Sequence, residues 1–190
     1  MNQTVQNLIK AFIGESQARN RYTFYAKIAK KEGYEQIASI FSLTADQEKE
    51  HAHWLFKMLQ DIKTDNQEVQ VQAQAPTVLG NTINNLKAAI SGEKFEHTQM
   101  YPEYAKVAKK QGYEDIANRL LAIAQAEAHH QERYEKLLAQ VKNRTFFSKE
   151  QVTEWTCREC GYVFKGKEPP QKCPSCSHPQ AYYEIKCEKY

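Results

Sequence analysis

The stretch YAKIAKKEGYEQIA at 25–38 returns as YAKVAKKQGYEDIA at 104–117, an offset of 79 positions in a chain of 190. A repeat of that length constrains the architecture before any single motif is read, because both copies must fold alike. Long stretches with helical periodicity flank each copy, and the shared Gly-Tyr (Gly33-Tyr34, Gly112-Tyr113) marks a tight turn between them. Each half therefore reads as a helical hairpin. Two hairpins make four helices.

Apolar or special residues fall at 5, 8, 12, 15, 19, 22, 26 and 29 in the first stretch, and at 37, 41, 44, 48, 51, 55, 58 and 62 in the second. The fourth runs through Ile116, Leu120, Ile123, Glu127, His130, Tyr134, Leu137 and Val141, and the third begins with Ile83, Leu86, Ile90 and Glu93. This is the spacing of a core-facing helical stripe, and roughly 28 residues per helix gives rods about 42 Å long. The polar segment 64–81, with Pro76 and Gly80, reads as a long crossover between helices 2 and 3, as a ferritin-like four-helix bundle requires. The expected division is a mainly α bundle at 1–141, a linker at 142–154 and a small unit at 155–190, where composition shifts to Cys, Pro, Gly and aromatics. A unit that short buries little apolar surface, so a metal would have to hold it together.

Bulk properties exclude several classes. The net charge of +3 is spread as lysines among glutamates, which argues against nucleic-acid binding. Lys30-Lys31 and Lys109-Lys110 read as solvated helix ends. The opening MNQTVQNLIK has neither a basic nor an apolar leader region, and no span suits a membrane, so a cytoplasmic protein is expected. All five cysteines follow residue 156, which in such a setting points to metal or redox work rather than a disulfide framework.

Glu15, Glu48, Glu93 and Glu127 stand on the inward stripes, where four carboxylates facing one another would repel unless cations neutralised them. Glu48-x-x-His51 and Glu127-x-x-His130 each put a carboxylate and an imidazole on one helix face, and Glu15 and Glu93 add one carboxylate from each remaining helix. Carboxylate-bridged two-metal bundles use this set. The competing pair Glu50-x-x-His53 fails twice, since the repeat maps it onto His129 and Glu132 and it leaves the stripe. His53, His97, His129 and His178 are read as surface or supporting residues, and Arg19 as the one basic stripe residue.

The repeat slips at one place: Tyr22 maps onto Tyr101 at offset 79, but Glu15 maps onto Glu93 at 78. One residue has been added, and helices commonly absorb such an insertion as a single wide turn. That turn contains Glu96, a candidate extra ligand with Gln17 as its repeat counterpart. Tyr22 and Tyr101 face inward near the ligands and are candidates to donate hydrogen bonds to them.

In the small unit, Cys157-x-x-Cys160 and Cys173-x-x-Cys176 can place four thiolates around one tetrahedral ion. Zinc ribbons share this spacing, and sulfur ligation alone suits zinc or iron. Trp155, Tyr162, Phe164, Tyr182 and Tyr183 fit a small apolar shell. Cys187 lies outside both knuckles and reads as a spare thiol.

Together GESQARNRY, ADQEKEH, SGEKFEHTQMYP and AEAHHQERY resemble the di-iron helices of the rubrerythrins, and CRECGYVF with CPSCSHPQAYYE resembles their rubredoxin-like domain. The resemblance implies that Glu15, Glu48, His51, Glu93, Glu96, Glu127 and His130 hold two irons, with Tyr22 and Tyr101 in support. It implies a third iron on Cys157, Cys160, Cys173 and Cys176, with zinc or manganese as possible substitutes. It also implies that Glu96 binds in the oxidised form and His51 in the reduced form. The implied activity is reduction of hydrogen peroxide to water, protective under oxidative stress, with electrons from an NAD(P)H-dependent reductase or a rubredoxin relayed through the cysteine-bound iron. The implied assembly is a head-to-tail homodimer or larger oligomer. Iron oxidation and handling, or a non-redox bundle with a zinc ribbon, are the alternatives.

Overall fold

The computed structural model describes residues 2–64 and 68–188; Met1, positions 65–67 of the crossover and the last two residues of the small unit lie outside them. Helix α1 spans Gln3–Lys31 and α2 spans Glu35–Ile62. The third rod is α3 (Thr82–Phe95), a π-helical turn (Glu96–Met100) and α4 (Tyr101–Lys110), and the fourth is α5 (Glu114–Lys142). The added residue of the repeat is thus taken up as a wide turn that begins at Glu96.

The two hairpin turns are built alike. Gly33 and Gly112 take φ of +82° and +85°, a region that only glycine enters without strain. Beside them Tyr34 N–H donates to Ala29 O and Tyr113 N–H to Ala108 O, both at 2.9 Å, closing the helix ends. Lys30 pairs with Glu35 at 3.5 Å and Lys109 with Glu114 at 3.1 Å, the same bridge 79 residues on. Both lysines are exposed, so these pairs contribute little.

Asn2 caps α1 by accepting from Thr4 N–H, and Asn81 caps α3 by accepting from Asn84 N–H, each at 2.9 Å. The described part of the crossover carries no helix or strand, and is held to α1 where Tyr25 Oη donates to Val78 O at 2.7 Å and Gln17 Nε2 to Gln74 O at 3.3 Å. Glu32, in the first hairpin turn, accepts from Thr82 N–H at 2.9 Å and fixes the start of the third rod.

Inside, two apolar clusters fill the ends of the bundle. One gathers Tyr22, Tyr25, Phe41, Leu86, Tyr134 and Leu137; the other gathers Leu8, Leu55, Tyr101, Ile116, Leu120 and Ile123. Between them lies a polar waist containing buried Glu15, Glu48, Glu93, Glu127 and His130. One expectation fails in α1. Its inward stripe passes through Ala11 and Ala18, both buried, while Phe12 is only partly covered and Arg19 is exposed. Small alanines sit where helices approach closely, and the larger neighbours turn outward.

Past α5, Phe146 is buried against the bundle and meets the Tyr34 ring edge-on at 5.3 Å. Strands β1 (Thr153–Cys157), β2 (Val163–Gly166) and β3 (Tyr183–Ile185) form an antiparallel sheet in the order β2-β1-β3. Buried Trp155 and Tyr183 pack with Cys157 and Cys173, and Tyr162, Phe164 and Tyr182 cover them. This unit meets the bundle at the first hairpin turn, where Ala181 approaches Gly33. Among the described residues no helix is long and apolar enough to cross a membrane.

Candidate metal centres

Facing rods deliver the waist residues to one point. His51 and His130 lie three positions after Glu48 and Glu127, so each imidazole shares a helix face with its carboxylate. His51 Nδ1 stands 2.9 Å from Glu48 Oε2 and 2.8 Å from Glu127 Oε1. His130 Nδ1 stands 3.2 Å from Glu48 Oε1, 2.8 Å from Glu127 Oε2 and 3.4 Å from Glu93 Oε2. Glu48 and Glu127 therefore each present one oxygen to each imidazole.

Two ligand groups result. Glu15, Glu48, His51 and Glu127 form one, and Glu48, Glu93, Glu127 and His130 the other, with all donor atoms of a group within 4.8 Å of one another. Glu48 and Glu127 belong to both. Donor atoms about 2.1 Å from a shared ion and at right angles stand about 3 Å apart, which is the spacing seen here. The donors meet only one another: Glu15 Oε2, Glu48 Oε1, Glu93 Oε2, both Glu127 oxygens and His130 Nδ1 are buried with no hydrogen-bond partner outside the cluster. Such a cluster is costly unless cations complete it, so the residues fit a two-metal group.

The bare site's proton affinities show the same frustration. Burial, then the charges of Glu127 and Glu48, pushes Glu15 well above the usual carboxylate range. Burial and the Glu48 charge raise Glu93 to about 8. Burial would raise Glu48 too, but hydrogen bonds from His130 and His51 outweigh it and hold that carboxyl at about 2. Burial lowers the imidazoles, yet the hydrogen bonds they donate to Glu127 and Glu48 lift His51 to about 10 and His130 to about 12.

Tyr22 donates to Glu93 Oε1 and Tyr101 to Glu15 Oε1, each reaching from one hairpin to the other. Each leaves the second oxygen of its carboxylate free for an ion. Of the seven bundle residues singled out in the sequence, six are gathered. Glu96 is not among the converging atoms; it opens the π-helical turn, partly exposed. The rejected pair Glu50 and His53 is exposed, as is His129, while His97 bonds Gln131 Oε1 at 2.6 Å and His178 packs on Tyr182. Arg21 escaped the sequence reading because it lies off the stripe and has Met100 as its repeat counterpart.

In the small unit Cys157 Sγ is 3.7 Å from Cys176 Sγ, and Cys160 Sγ is 3.7 Å from Cys173 Sγ. That is far beyond a disulfide bond and close to the roughly 3.8 Å edge of a tetrahedron with metal–sulfur bonds of about 2.3 Å. The knuckles match in backbone. Gly161 and Ser177 each follow a second cysteine with φ of +75° and +63°, and Gly161 N–H and Ser177 N–H donate to Cys157 O and Cys173 O at 2.8 and 2.9 Å. Cys187 is exposed and apart from this cluster.

The rubrerythrin family model matches residues 6–138, and the model of the rubrerythrin rubredoxin-like domain matches 155–184. A putative rubrerythrin of Methanocaldococcus jannaschii is 58% identical over 100% of this chain and 96% of its own length. The rubrerythrin of Nitratidesulfovibrio vulgaris is 43% identical over 97% of this chain and 94% of its own. Among solved structures, nigerythrin in a mixed-valence state matches with a TM-score of 0.64 and 29% identity, covering 96% of this chain and 86% of that one. With both its helical bundle and its cysteine unit matched, this chain belongs to the rubrerythrin family.

Proposed function

We propose that this protein reduces hydrogen peroxide to water at a two-iron site in residues 1–141, fed with electrons by a third iron in residues 155–190. The observation that carries the reading is the pair of ligand groups sharing Glu48 and Glu127 in the same chain as a four-thiolate tetrahedron. Two adjacent irons, when bound, supply together the two electrons that cleaving an O–O bond requires, and a single cysteine-bound iron restores them one at a time.

Around that chemistry the chain's own residues have separate tasks. Glu48 and Glu127 would bridge the ions, Glu15 and His51 would complete one and Glu93 and His130 the other. Tyr22 and Tyr101 fix the orientations of Glu93 and Glu15. The apolar clusters on either side of the waist exclude water and strengthen every interaction within it. Glu96, on the π-helical turn beside Glu93, would bind in the oxidised form and His51 in the reduced form. The overall change consumes two electrons and two protons per peroxide and yields two waters.

The working unit is at least a dimer. Ala181 of the cysteine unit approaches Gly33 in the turn after α1, whose last residue Lys31 is 16 residues beyond Glu15, or about 24 Å along the helix. The cysteine unit thus docks at the end of its own bundle, remote from the waist, and a neighbouring chain laid head to tail would offer a nearer site. NAD(P)H reaches the system through a separate reductase or a rubredoxin. Metal analysis and a visible spectrum test the assignment: about three irons per chain and the colour of a ferric four-thiolate centre support it, whereas colourless protein with zinc in the cysteine unit sinks the relay.

A further inference from the structure

Arg21 is a half-buried cation that neither the fold nor the ligand set explains. Its Nε and Nη1 are closed off from solvent and have no hydrogen-bond partner, an arrangement that calls for an acceptor. The guanidinium lies beside Tyr22, with Cζ 5.8 Å from the ring centre, and Tyr22 in turn holds Glu93. Contacts between α1 and the third rod give the register: Tyr22 meets Glu93 and Tyr101 meets Glu15, so the rods run antiparallel. On that register Glu96 stands level with positions 19 and 20, about 3 Å or less along the axis from Arg21. Arg19, at the same level, is exposed and points away.

The two facts fit together. Glu96 is the one candidate ligand outside the converging group, at the start of the wide π-helical turn, and a carboxylate withdrawn from a metal needs a counter-charge. Its carboxyl is pushed upward by burial and by Glu93, Glu127 and Glu48, and Arg21 is the cation that opposes them.

We propose that Arg21 is a positioning residue whose guanidinium receives the Glu96 carboxylate when that group is off the metals. The proposal rests on the two-iron reading above. By holding the withdrawn carboxylate, Arg21 favours the reduced arrangement and raises the reduction potential of the bundle site.

The test is a double-mutant cycle on iron-loaded full-length protein, with Arg21→Gln, Glu96→Gln and both together, read by redox titration of the bundle site. Arg21→Gln should lower the potential, each tenfold change in the exchange equilibrium being worth about 30 mV for a two-electron couple. In the Glu96→Gln background the same change should do nothing, which a merely structural role would not produce. Arg21→Lys should restore part of the shift and serves if the glutamine variant misfolds. Crystals of the fully ferrous protein should show Glu96 on Arg21. An unchanged potential in Arg21→Gln, an equal shift with and without Glu96, or a ferrous structure with Glu96 elsewhere would overturn the proposal. Wild-type protein that binds no iron pair would instead overturn the two-iron reading.

Discussion

Glu48 and Glu127, 79 residues apart, each turn one carboxylate oxygen toward His51 and the other toward His130. Among the described residues no other serves both ligand groups, so the two carboxylates are not equivalent to Glu15 and Glu93 in their consequences. Glu127→Gln should abolish cooperative loading and take the bundle from about two ferrous ions to near none, whereas Glu15→Gln should remove about one. Titration with ferrous iron under anaerobic conditions, counted against protein, distinguishes them. Equal losses from both variants would show that the bridging assignment is wrong.

The phenols come next. Tyr22→Phe and Tyr101→Phe delete one hydrogen bond each to a carboxylate, with little change in buried volume. Each should weaken metal binding by roughly tenfold to a hundredfold. Without metal, each variant also leaves a buried carboxyl oxygen without its donor, so thermal melts should show a loss of about 1–3 kcal/mol of stability.

Protonation gives a prediction with a definite sign. With His51 at about 10 and His130 at about 12, the folded metal-free bundle holds protons that the unfolded chain, near 6.5, releases earlier. The stabilisation is complete below about pH 6.5 and fades as pH rises through those folded values. Glu93 at about 8 acts in the same direction, taking stability away between about pH 4.5 and 8. Metal-free protein should therefore melt lower at pH 9 than at pH 7. Metal displaces these protons, so ferrous affinity should rise with pH, by roughly tenfold per pH unit for each proton released. Calorimetry in buffers of different ionisation heat should count about two or more protons released at pH 7; release of none contradicts the imidazole and carboxylate assignment.

Backbone conformation tests the knuckles independently of the ligands. Gly161 takes φ of +75° with nothing within 4 Å of where a Cβ would stand, so Gly161→Ala introduces backbone strain without a clash. It should cost about 1 kcal/mol in the metal-loaded unit. Ser177 holds the matching position at +63° with a side chain, so Ser177→Gly should be neutral or stabilising by up to about 1 kcal/mol. Chelator-induced loss of the cysteine-bound metal, followed by absorbance, ranks the variants.

Much of this was legible in the chain because the repeat carried the same information twice. Glu48 and His51 were separable from Glu50 and His53 by mapping through 79 residues, and the slip to 78 located the π-helical turn at Glu96. The α1 stripe was misread at Phe12 and Arg19, since Ala11 and Ala18 bury little surface and give a weak hydrophobic signal. Arg21 was illegible for a different reason: the environment of a half-buried charge is set in part by another rod, here the turn that carries Glu96. Phe146, in a stretch read as linker, is buried for the same kind of reason, by contact with Tyr34 across the first hairpin turn.

Transfer between chains is testable by complementation. Chains carrying Cys160→Ser and chains carrying Glu127→Ala should each be inactive, and mixed dimers formed by dissociation and reassociation should regain NADH-dependent peroxide reduction in the presence of the reductase. Heterodimers that form yet stay inactive would place the transfer within one chain.

The central claim is that peroxide is reduced in the bundle and the cysteine-bound iron follows. Rapid mixing of fully reduced, iron-loaded protein with one equivalent of hydrogen peroxide, watched at the visible bands of the ferric four-thiolate centre, tests it most directly. Colour should appear quickly in the wild type and hardly at all in Glu127→Gln with its cysteine iron intact. Equal rates of colour in both proteins, or a wild type that stays colourless while peroxide persists, would contradict the claim.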